Sequence, residues 1–524
     1  MVSTHLLFSL VPLLSLTAAA DASVVSVCEF LHAQYPDITV WDPLGGHGSS
    51  TPAEITTFNN TLTEYWNKLN SDNRPTCAFY PQNAGQVSVA VRQLNRYPDV
   101  EFALKSGGHN FNVGFSSTDG GVLISFNENL SSTVRSADGE SFDVGPGARW
   151  GGVYDETVKT NQVVVGGRLG NIGVAGFTLG GGLSYYSAQY GLACDNVLNF
   201  EVVLGNGTIV NANSTSHPDL WWALKGGGNR FGIVTKFTLK AHPLGDNGRV
   251  WGGIKLYSPA RRGQIFSGVS DLIRTYPDTK AAVIPTFNIA LLDMVMLFFY
   301  YDGPSPPANA FAGLDRIPAL LDLTGETSYI NMTNLAGGAQ MTGQTTAAHV
   351  NGFPNMERSR TRQFLEYTWD TYKAKARANT ARNITFSTAT FATQPIPRVI
   401  AEAGIANGGN TLGLDPKHGD FFWIENTLLW SDPVCDAACP DVLHEIGDAV
   451  YDRFQSRYAG TEPTNYQSGD LDFISTNPLF MNDAAHYQDV YSSYGEENKA
   501  KLIQIANKYD PSGFMNRQEG WILE

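Results

Sequence analysis

The sequence predicts an α+β protein with two domains, and three observations support this fold class. Short strand-like and helical hydrophobic patterns alternate over residues 84–240. The composition then changes, and residues 250–480 combine longer strand-like runs with longer helical runs. A final helical pattern over residues 498–508 ends at Asp510-Pro511, and we assign this last segment to the first domain.

Hydrophobic spacing defines the elements of the first domain. Apolar residues recur on one helical face at 84–95, and alternation over 100–104 predicts a strand that leads into Ser106-Gly107-Gly108-His109-Asn110. Asn206-Gly207 lies between two strand patterns and predicts a hairpin. The other predicted elements are strands at 122–126, 142–144, 197–204, 209–212 and 231–239 and a helix at 150–160.

In the second domain, runs at 294–301 and 421–429 predict strands, and the run at 440–458 predicts a helix. The polar, Gly-rich stretch 337–355 predicts a long loop. Alternation along the first of these strands sends Phe298 and Tyr300 to one face and Phe299 and Tyr301 to the other. One of these pairs lines an apolar pocket, or both pack in the core; the sequence leaves both alternatives open.

Residues 1–20 predict a secretory signal peptide, because the apolar run Leu6 to Leu16 is followed by Ala18, Ala19 and Ala20. The alternative is a buried N-terminal helix, since no Lys or Arg precedes the run. No later apolar stretch is long enough to span a bilayer. Asn-X-Ser/Thr sequons fit a secreted glycoprotein and occur at Asn59, Asn129, Asn206, Asn213, Asn331 and Asn383.

The five cysteines fit an oxidising compartment. Cys28 pairs with Cys77 in this interpretation, and Cys435 pairs with Cys439. Cys194 then remains as a buried thiol. A metal site is not expected, because no further ligand at a zinc spacing accompanies Cys439 and the nearby histidine.

The formal net charge of -15 argues against nucleic acids and anionic membranes as partners. Several catalytic signatures are also missing from the sequence. They are the phosphate-binding Walker loop, Gly-x-Gly-x-x-Gly after a strand, Gly-x-Ser-x-Gly and His-Glu-x-x-His. A Rossmann domain, a serine hydrolase and a zinc protease of these types are therefore not supported.

Three glycine clusters predict a site for a long ligand such as a dinucleotide. They lie at Gly107-Gly108, between Gly173 and Gly182, and at 226–228. Glycine lets backbone N–H groups approach a phosphate without a side chain in the way. The alternative is that these glycines form tight turns of an all-β domain. For His109 the alternatives are a hydrogen-bonding loop residue and a covalent link to the C8 methyl group of a flavin.

Four motifs in order resemble the berberine-bridge-enzyme-like oxidases of the vanillyl-alcohol-oxidase/p-cresol-methylhydroxylase (PCMH) flavoprotein superfamily. The most specific is His217-Pro-Asp-Leu-Trp-Trp-Ala-Leu-Lys-Gly-Gly-Gly228, followed by Phe231-Gly-Ile-Val234. The other three are Lys105-Ser-Gly-Gly-His-Asn110, Gly173-Val-Ala-Gly-Phe-Thr-Leu-Gly-Gly-Gly182 and Tyr190-Gly-Leu-Ala-Cys-Asp195-Asn-Val. Residues 250–460 match only in outline, and the secreted character resembles fungal members.

The resemblance implies a two-part PCMH-type FAD-binding domain over 21–245. It also implies a substrate domain over 246–478 with an antiparallel sheet flanked by helices, and a segment 479–524 that returns to the FAD domain. His109 would carry the FAD covalently. The other residues implied to contact FAD are Ser106, Gly107, Gly108, Asn110, Gly114, Gly173, Gly176, Gly181, Gly182, Asp195, Ile233 and Val234.

One position departs from the pattern of many family members, which attach FAD through both a His and a Cys. The alignment of the second motif places Leu169 where that Cys would stand, and leucine cannot form the bond. A single covalent link through His109 is therefore expected, together with a milder oxidant than in doubly linked relatives.

The implied chemistry is the oxidation of an alcohol or an activated C–H bond of a small, secondary-metabolite-like molecule, with hydride transfer to flavin N5 and reoxidation by molecular oxygen. Tyr466, in Asn465-Tyr466, is the candidate base, and Tyr185 and Tyr186 are candidates to face the substrate. Two alternatives stay open. One is an oligosaccharide oxidase of the same fold, and the other is a flavoprotein scaffold or secreted binding protein that steers a cyclisation without net redox chemistry.

Overall fold

The computed structural model describes residues 11–48, 50–289, 293–335, 343–380, 387–474 and 478–524. Residues 1–10 of the predicted signal peptide and the sequon at Asn383 lie outside this part of the chain. A first region with small sheets packs against a second region built on one large sheet, which confirms the predicted two-domain α+β fold class. Within the described residues, no helix has the length and apolar character needed to cross a membrane.

The first region contains short helices and strands. Its helices are α1 (Val11–Gln34), α2 (Pro52–Thr63), α3 (Lys68–Asp72), α4 (Ala84–Leu94), α5 (Trp150–Thr157), α6 (Val174–Leu179), α7 (Ser187–Tyr190) and α8 (Pro218–Leu224). Its strands are β1 (Thr39–Trp41), β2 (Cys77–Phe79), β3 (Phe102–Lys105), β4 (Val122–Ser125), β5 (Thr133–Arg135), β6 (Ser141–Val144), β7 (Gln162–Val163), β8 (Val197–Val203), β9 (Ile209–Asn213), β10 (Ile233–Lys240) and β11 (His242–Pro243).

Two sheets divide the first region into two parts. In the order β1-β2-β4-β3, strands β2 and β3 run parallel to β4 and β1 is antiparallel to β2. The other sheet is antiparallel, in the order β5-β6-β10-β8-β9. The parallel strand β3 ends at Lys105, so the Gly107-Gly108-His109 loop leaves its carboxyl end, as the hydrophobic alternation predicted.

The hairpin predicted at Asn206-Gly207 joins β8 and β9. Gly207 donates its N–H to the carbonyl of Leu204 at 2.8 Å and has a φ of 81°. The positive φ favours glycine at this turn position, because side chains with a Cβ rarely adopt it.

The second region and the C-terminal segment contain longer elements. The strands are β12 (Arg249–Tyr257), β13 (Ala281–Asn288), β14 (Met294–Tyr301), β15 (Leu321–Asp322), β16 (Gly325–Ser328), β17 (Thr345–Pro354), β18 (Thr388–Ile396) and β19 (Phe421–Trp430). The helices are α9 (Arg262–Thr275), α10 (Tyr329–Leu335), α11 (Arg358–Thr380), α12 (Arg398–Ala406), α13 (Val434–Tyr458), α14 (Leu471–Ile474), α15 (Val490–Ser493) and α16 (Glu496–Tyr509).

The large sheet has the order β15-β12-β14-β13-β18-β19-β17, with β16 beside β12, and its pairs are antiparallel among the described residues. Apolar residues of one sheet face share a core with α9, α11 and α13. Phe299 and Tyr301 lie in this core, whereas Tyr300 lies in the core shared with the first region. The predicted alternation along β14 is therefore confirmed.

The prediction of a long loop over 337–355 is wrong for residues 345–354, which form β17 and pair with β19 along its length. The strand has many small and polar side chains, so its sequence lacks the alternating apolar pattern that would predict a strand. His349 and Asn351 are buried there, and the His349 ring bonds both Asn351, at 3.0 Å, and the Tyr487 hydroxyl, at 2.9 Å. Tertiary contacts therefore decide the conformation.

Two further helices differ from the prediction. Helix α13 begins at Val434 rather than at Pro440, and the Cys435–Cys439 disulfide spans its first turns. The glycine-rich stretch between Gly173 and Gly182, for which no helix or strand was predicted, contains the short helix α6, which buries Phe177 and Leu179. In both cases packing outweighs the unfavourable helix propensity of Pro or Gly.

The segment from residue 479 contacts the first region at several points. Arg230 donates to the carbonyl of Met515 at 2.8 Å, and Arg517 donates to the carbonyl of Leu94 at 3.0 Å. The Asn112 amide donates to the carbonyl of Ala484 at 3.0 Å. These bonds hold the last part of the chain against the domain that contains the His109 loop.

Both predicted disulfides are present, with Cα–Cα distances of 6.0 Å for Cys28–Cys77 and 5.0 Å for Cys435–Cys439, and Cys194 is a buried free thiol. The first bridge ties α1 to β2.

We expect the double substitution Cys28→Ser/Cys77→Ser to destabilise the protein by about 2–4 kcal/mol, because the bridge closes a long loop. The midpoint of thermal unfolding measures the loss. The matched control is Cys435→Ser/Cys439→Ser, which opens a sequence separation of only 4 and is expected to cost less. Equal midpoints for wild type and the first variant would contradict this expectation.

Candidate active site

A cavity of about 550 Å³ lies between the first region and the large sheet. This volume is within the usual range for small-molecule and cofactor sites. The His109 loop and the glycine-rich stretch form the walls on one side, and the face of the large sheet that is turned away from α9, α11 and α13 forms the opposite wall. Residues 480–483 and Trp521 of the C-terminal segment also line the cavity.

The structure brings most of the predicted cofactor residues to this cavity. The predicted residues that line it are Ser106, Gly107, Gly108, His109, Asn110, Gly173, Gly176, Ile233 and Val234. Leu169, at the position of the missing cysteine, lines it as well. The loop after β3 and the glycine-rich stretch therefore meet at one site, although they are distant in sequence.

Gly107 and Gly173 explain how closely these two segments approach. A Cβ on Gly107 would lie 2.6 Å from the Cα of Gly173, and a Cβ on Gly173 would overlap the backbone nitrogen of Gly107. Gly176 differs, because a Cβ built on it would meet no protein atom within 4 Å. Glycine at 176 thus leaves open space on the cavity side.

Four predicted cofactor residues do not line the cavity. Gly114 packs on Glu519, and Gly181 and Gly182 have positive φ angles in a turn behind the wall. Asp195 is buried behind the same wall, where it accepts the Leu192 N–H at 2.9 Å and lies 3.8 Å from Lys225. Burial raises the pKa of Asp195, while Lys225 opposes this rise. The structure therefore gives these four residues a supporting position.

The tyrosines singled out in the sequence also lie elsewhere. Tyr185 and Tyr186 are fully buried beneath the sheet, where the Tyr186 hydroxyl receives a hydrogen bond from Tyr300 at 2.5 Å. Tyr466 lies on the surface side of the second region, and its hydroxyl donates to the carbonyl of Gly469 at 2.9 Å. None of the three is among the cavity-lining residues.

We expect Tyr466→Phe to keep turnover within about twofold of wild type, because the substitution changes a partly exposed side chain away from the cavity. Steady-state rates with any accepted substrate measure the effect. A large loss of kcat with unchanged folding would restore Tyr466 as the base.

The sheet face toward the cavity carries a patch that spans four adjacent strands. Phe298 on β14 is opposite Ile284 on β13, and Thr390 on β18 is opposite Thr427 on β19. This patch is mixed, with apolar side chains beside hydroxyl groups. Its cavity-lining members are Ile284, Thr286, Phe298, Thr388, Thr390, Ala392, Glu425, Thr427 and Leu429.

Two carboxyl groups, Glu425 and Asp483, line the cavity near Arg168. Arg168 donates to the Gln394 side-chain oxygen at 2.5 Å, and the Gln394 amide donates to Asp483 at 2.6 Å. The Thr427 hydroxyl donates to Glu425 at 3.0 Å. These bonds fix the positions of both carboxyl groups.

Burial raises the pKa of Glu425 and raises that of Asp483 well above its usual range. The charge of Glu425 raises the pKa of Asp483 further, and Arg168 opposes both rises. A negative charge on one of these two carboxyl groups therefore opposes ionisation of the other, and the two groups titrate as a pair. A pair that holds one proton between two carboxyl groups is suited to one acid and one base role.

The His109 imidazole is kept neutral by its surroundings. Burial, and then the charge of Arg149, lower the pKa of His109 to about 4. Lys105 is buried beneath the same loop, 3.8 Å from Glu64, and burial lowers the pKa of Lys105 to about 8. The loop thus has a neutral histidine on the cavity side and two basic groups nearby.

These residues fit the FAD that the sequence implies. Within the described chain, no hydrogen bond uses the backbone N–H groups of residues 107–110, so they are free to bind phosphate oxygens. The buried side-chain oxygen of Asn171 has no hydrogen-bond partner at the same cavity. Gly176 leaves room beside them, and Lys105 and Arg149 add positive charge.

Comparison with known proteins identifies the family. A family model described as an FAD binding domain matches residues 75–213. An uncharacterized FAD-linked oxidoreductase from Arthroderma benhamiae is 33% identical over 479 residues, which cover 89% of this chain and 90% of that protein. The chain belongs to the FAD-linked oxidoreductase family. This oxidoreductase is also 30% identical over 453 residues to an FAD-dependent monooxygenase from Aspergillus calidoustus, with 84% and 81% of the two chains covered.

Solved structures confirm the fold of this FAD-linked oxidoreductase. BBE-like 1 from Physcomitrella patens aligns with a TM-score of 0.74 at 18% identity, over 95% of this chain and 99% of that chain. A carbohydrate oxidase from Microdochium nivale aligns with a TM-score of 0.71 at 18% identity, over 95% and 98%. The fold implied by the resemblance to berberine-bridge-enzyme-like flavoproteins is therefore confirmed.

The carboxyl pair of this oxidoreductase was not predicted from the sequence. One sequence signal could have indicated Glu425, because it is the single charged residue in the largely apolar run Phe421–Leu429. Asp483 and Arg168 gave no comparable signal, since only the tertiary fold brings them to Glu425.

Proposed function

We propose that this FAD-linked oxidoreductase is a secreted oxidase that carries FAD on His109 alone and oxidises an alcohol or activated C–H bond of a small organic molecule. The observation that carries the proposal is that the His109 loop and the Glu425–Asp483 carboxyl pair line one cavity. A neutral histidine and a pair of partly buried carboxyl groups have a direct use there, in holding a redox cofactor and in moving a substrate proton.

FAD, when bound, supplies the acceptor for a hydride at its N5 position, with molecular oxygen as the proposed final acceptor. Glu425 takes the proton of the substrate hydroxyl group or activated position in its ionised form. Asp483 retains its proton and donates a hydrogen bond to a substrate oxygen. Arg168 and Gln394 orient Asp483, and the apolar members of the sheet patch exclude water from the carboxyl pair.

A single point of attachment follows from Leu169, which lines the cavity and has no nucleophilic atom. Cys194 is fully buried and does not line the cavity. Peptide mapping is expected to find flavin on the peptide containing His109 and on no cysteine-containing peptide.

The polar part of the sheet patch gives some support to an oligosaccharide substrate as the second candidate. Within the described residues, no hydrogen bond uses the hydroxyl groups of Thr286, Thr388 or Thr390, so they are open to substrate oxygens. Phe298 is the aromatic residue that β14 contributes, and it provides an apolar surface for a ring. The patch as a whole fits a small oxygenated molecule with one apolar face.

Secretion is supported by the predicted signal peptide, by the sequons and by both disulfides, since disulfides form and persist in oxidising compartments.

The test is anaerobic mixing of the purified protein with oxygenated small molecules and, separately, with oligosaccharides. Loss of flavin absorbance followed by peroxide release when air is admitted is expected with the first class. Reduction by oligosaccharides alone would favour the second candidate. A flavin that no substrate class reduces would contradict oxidation and favour a scaffold without net redox chemistry.

A further inference from the structure

Residues 64–70, which we name the clasp, run along the loop that carries His109. The Trp66 N–H donates to the carbonyl of Gly108 at 3.0 Å, immediately before the histidine. The Asn67 amide donates to the carbonyl of Phe111 at 2.6 Å, just after it. The clasp therefore fixes the backbone on both sides of His109.

Two further clasp residues form hydrogen bonds with the same loop. The Asn70 amide donates to the carbonyl of Asn110 at 3.1 Å, and its oxygen accepts the Gly114 N–H at 3.0 Å. The Tyr65 hydroxyl donates to the carbonyl of Ser116 at 2.6 Å. Together these bonds restrain the backbone of the loop from residue 108 to residue 116.

The side chain of Trp66 acts on the imidazole itself. The two rings are stacked, with centroids 4.5 Å apart and an angle of 9° between their planes. Phe111 meets the indole edge-on, at 6.3 Å and 86°. Because one flat face of His109 is covered, rotation of the imidazole out of this plane would lose the stacking contact.

We propose that Trp66 is a positioning residue for the covalent attachment of FAD, because it holds the His109 imidazole in the orientation needed for reaction. This role rests on the proposed link through His109. A bond forms between an imidazole nitrogen and the 8α-carbon of the flavin, and a C–H bond of the methyl group and the imidazole N–H are lost. The two electrons and two protons released reduce the flavin, and molecular oxygen reoxidises it to give hydrogen peroxide.

Two properties of the site suit this reaction. His109 is neutral, so a ring nitrogen keeps its lone pair. The stacked indole restrains the ring before the bond forms, which lowers the entropic cost of reaching the reactive geometry. The predicted oxygen chemistry of the enzyme supplies the oxidant that the step needs.

The test measures flavin that stays with the protein after acid precipitation, as a fraction of total bound flavin, over time after FAD is added to full-length protein produced under riboflavin limitation. We expect Trp66→Phe to attach FAD within about threefold of the wild-type rate, because it keeps an aromatic face. Trp66→Leu is expected to slow attachment by about tenfold or more while still binding FAD, because it keeps apolar bulk without the stack.

Trp251→Leu is the matched control, since Trp251 is also half-buried but packs on Phe311 in the second region. It is expected to attach FAD at the wild-type rate. A Trp66→Leu protein that binds and attaches FAD as fast as wild type would overturn the role of Trp66 only. A wild-type protein that releases all its flavin into the acid supernatant would overturn the His109 link and, with it, this inference.

Discussion

His109→Ala is expected to abolish acid-stable flavin. The cavity presents one neutral imidazole at the predicted attachment position, and Leu169 provides no second nucleophile. We expect the wild-type protein to give a yellow pellet after acid precipitation and the variant to give a colourless pellet with any bound flavin in the supernatant. Absorbance of the two fractions measures the result.

His32→Ala is the control for this variant, because His32 lies on α1 and bonds the carbonyl of Thr39, away from the cavity. It should keep the yellow pellet. A His109→Ala pellet that retains flavin would contradict the assignment and direct attention to another nucleophile, which peptide mapping would then identify.

Glu425→Gln is expected to lower kcat by about 10²–10⁴-fold, because the substitution removes the proposed base and leaves the shape of the cavity unchanged. The expected wild-type rate rises with pH through the pKa of Glu425, since the base acts only when ionised. Burial raises that pKa, so the acidic limb of the profile lies above the range of an ordinary glutamate. Steady-state rates across pH measure both effects.

Asp483→Asn is the matched comparison, since asparagine still donates a hydrogen bond in place of the protonated carboxyl group. Its loss of kcat is expected to be much smaller, about tenfold or less. The reverse ranking of the two variants would make Asp483 the base and Glu425 the donor. Equal, wild-type rates for both would exclude the carboxyl pair from the reaction.

The parts of the fold that were predictable are those with local signals. The strand that leads into the His109 loop, the hairpin at Asn206-Gly207 and both disulfides follow from alternation, turn chemistry and cysteine spacing. Strand β17 was missed because its stability comes from pairing with β19 and from buried hydrogen bonds of His349, which no local pattern reveals.

The residues of the site likewise divide into those with a local sequence signal and those without one. Glycines that let backbone approach a ligand are visible as clusters, and Gly107, Gly173 and Gly176 do line the cavity. Gly181, Gly182 and Asp195 belong to the family motifs but lie behind the cavity wall. Residues of a motif can be required for folding as well as for ligand binding, so the motif alone does not show which of them line the cavity. The carboxyl pair and the clasp depend on contacts between distant segments.

The contact between Gly107 and Gly173 restricts how this enzyme can be altered. A side chain on either residue would meet backbone atoms of the other segment, and backbone cannot be trimmed by a second substitution. No compensating side-chain change is therefore available, and a substitution at either glycine would have to displace the backbone of the other segment. Libraries built to broaden its substrate range should hold these two codons constant and place their diversity on the sheet patch.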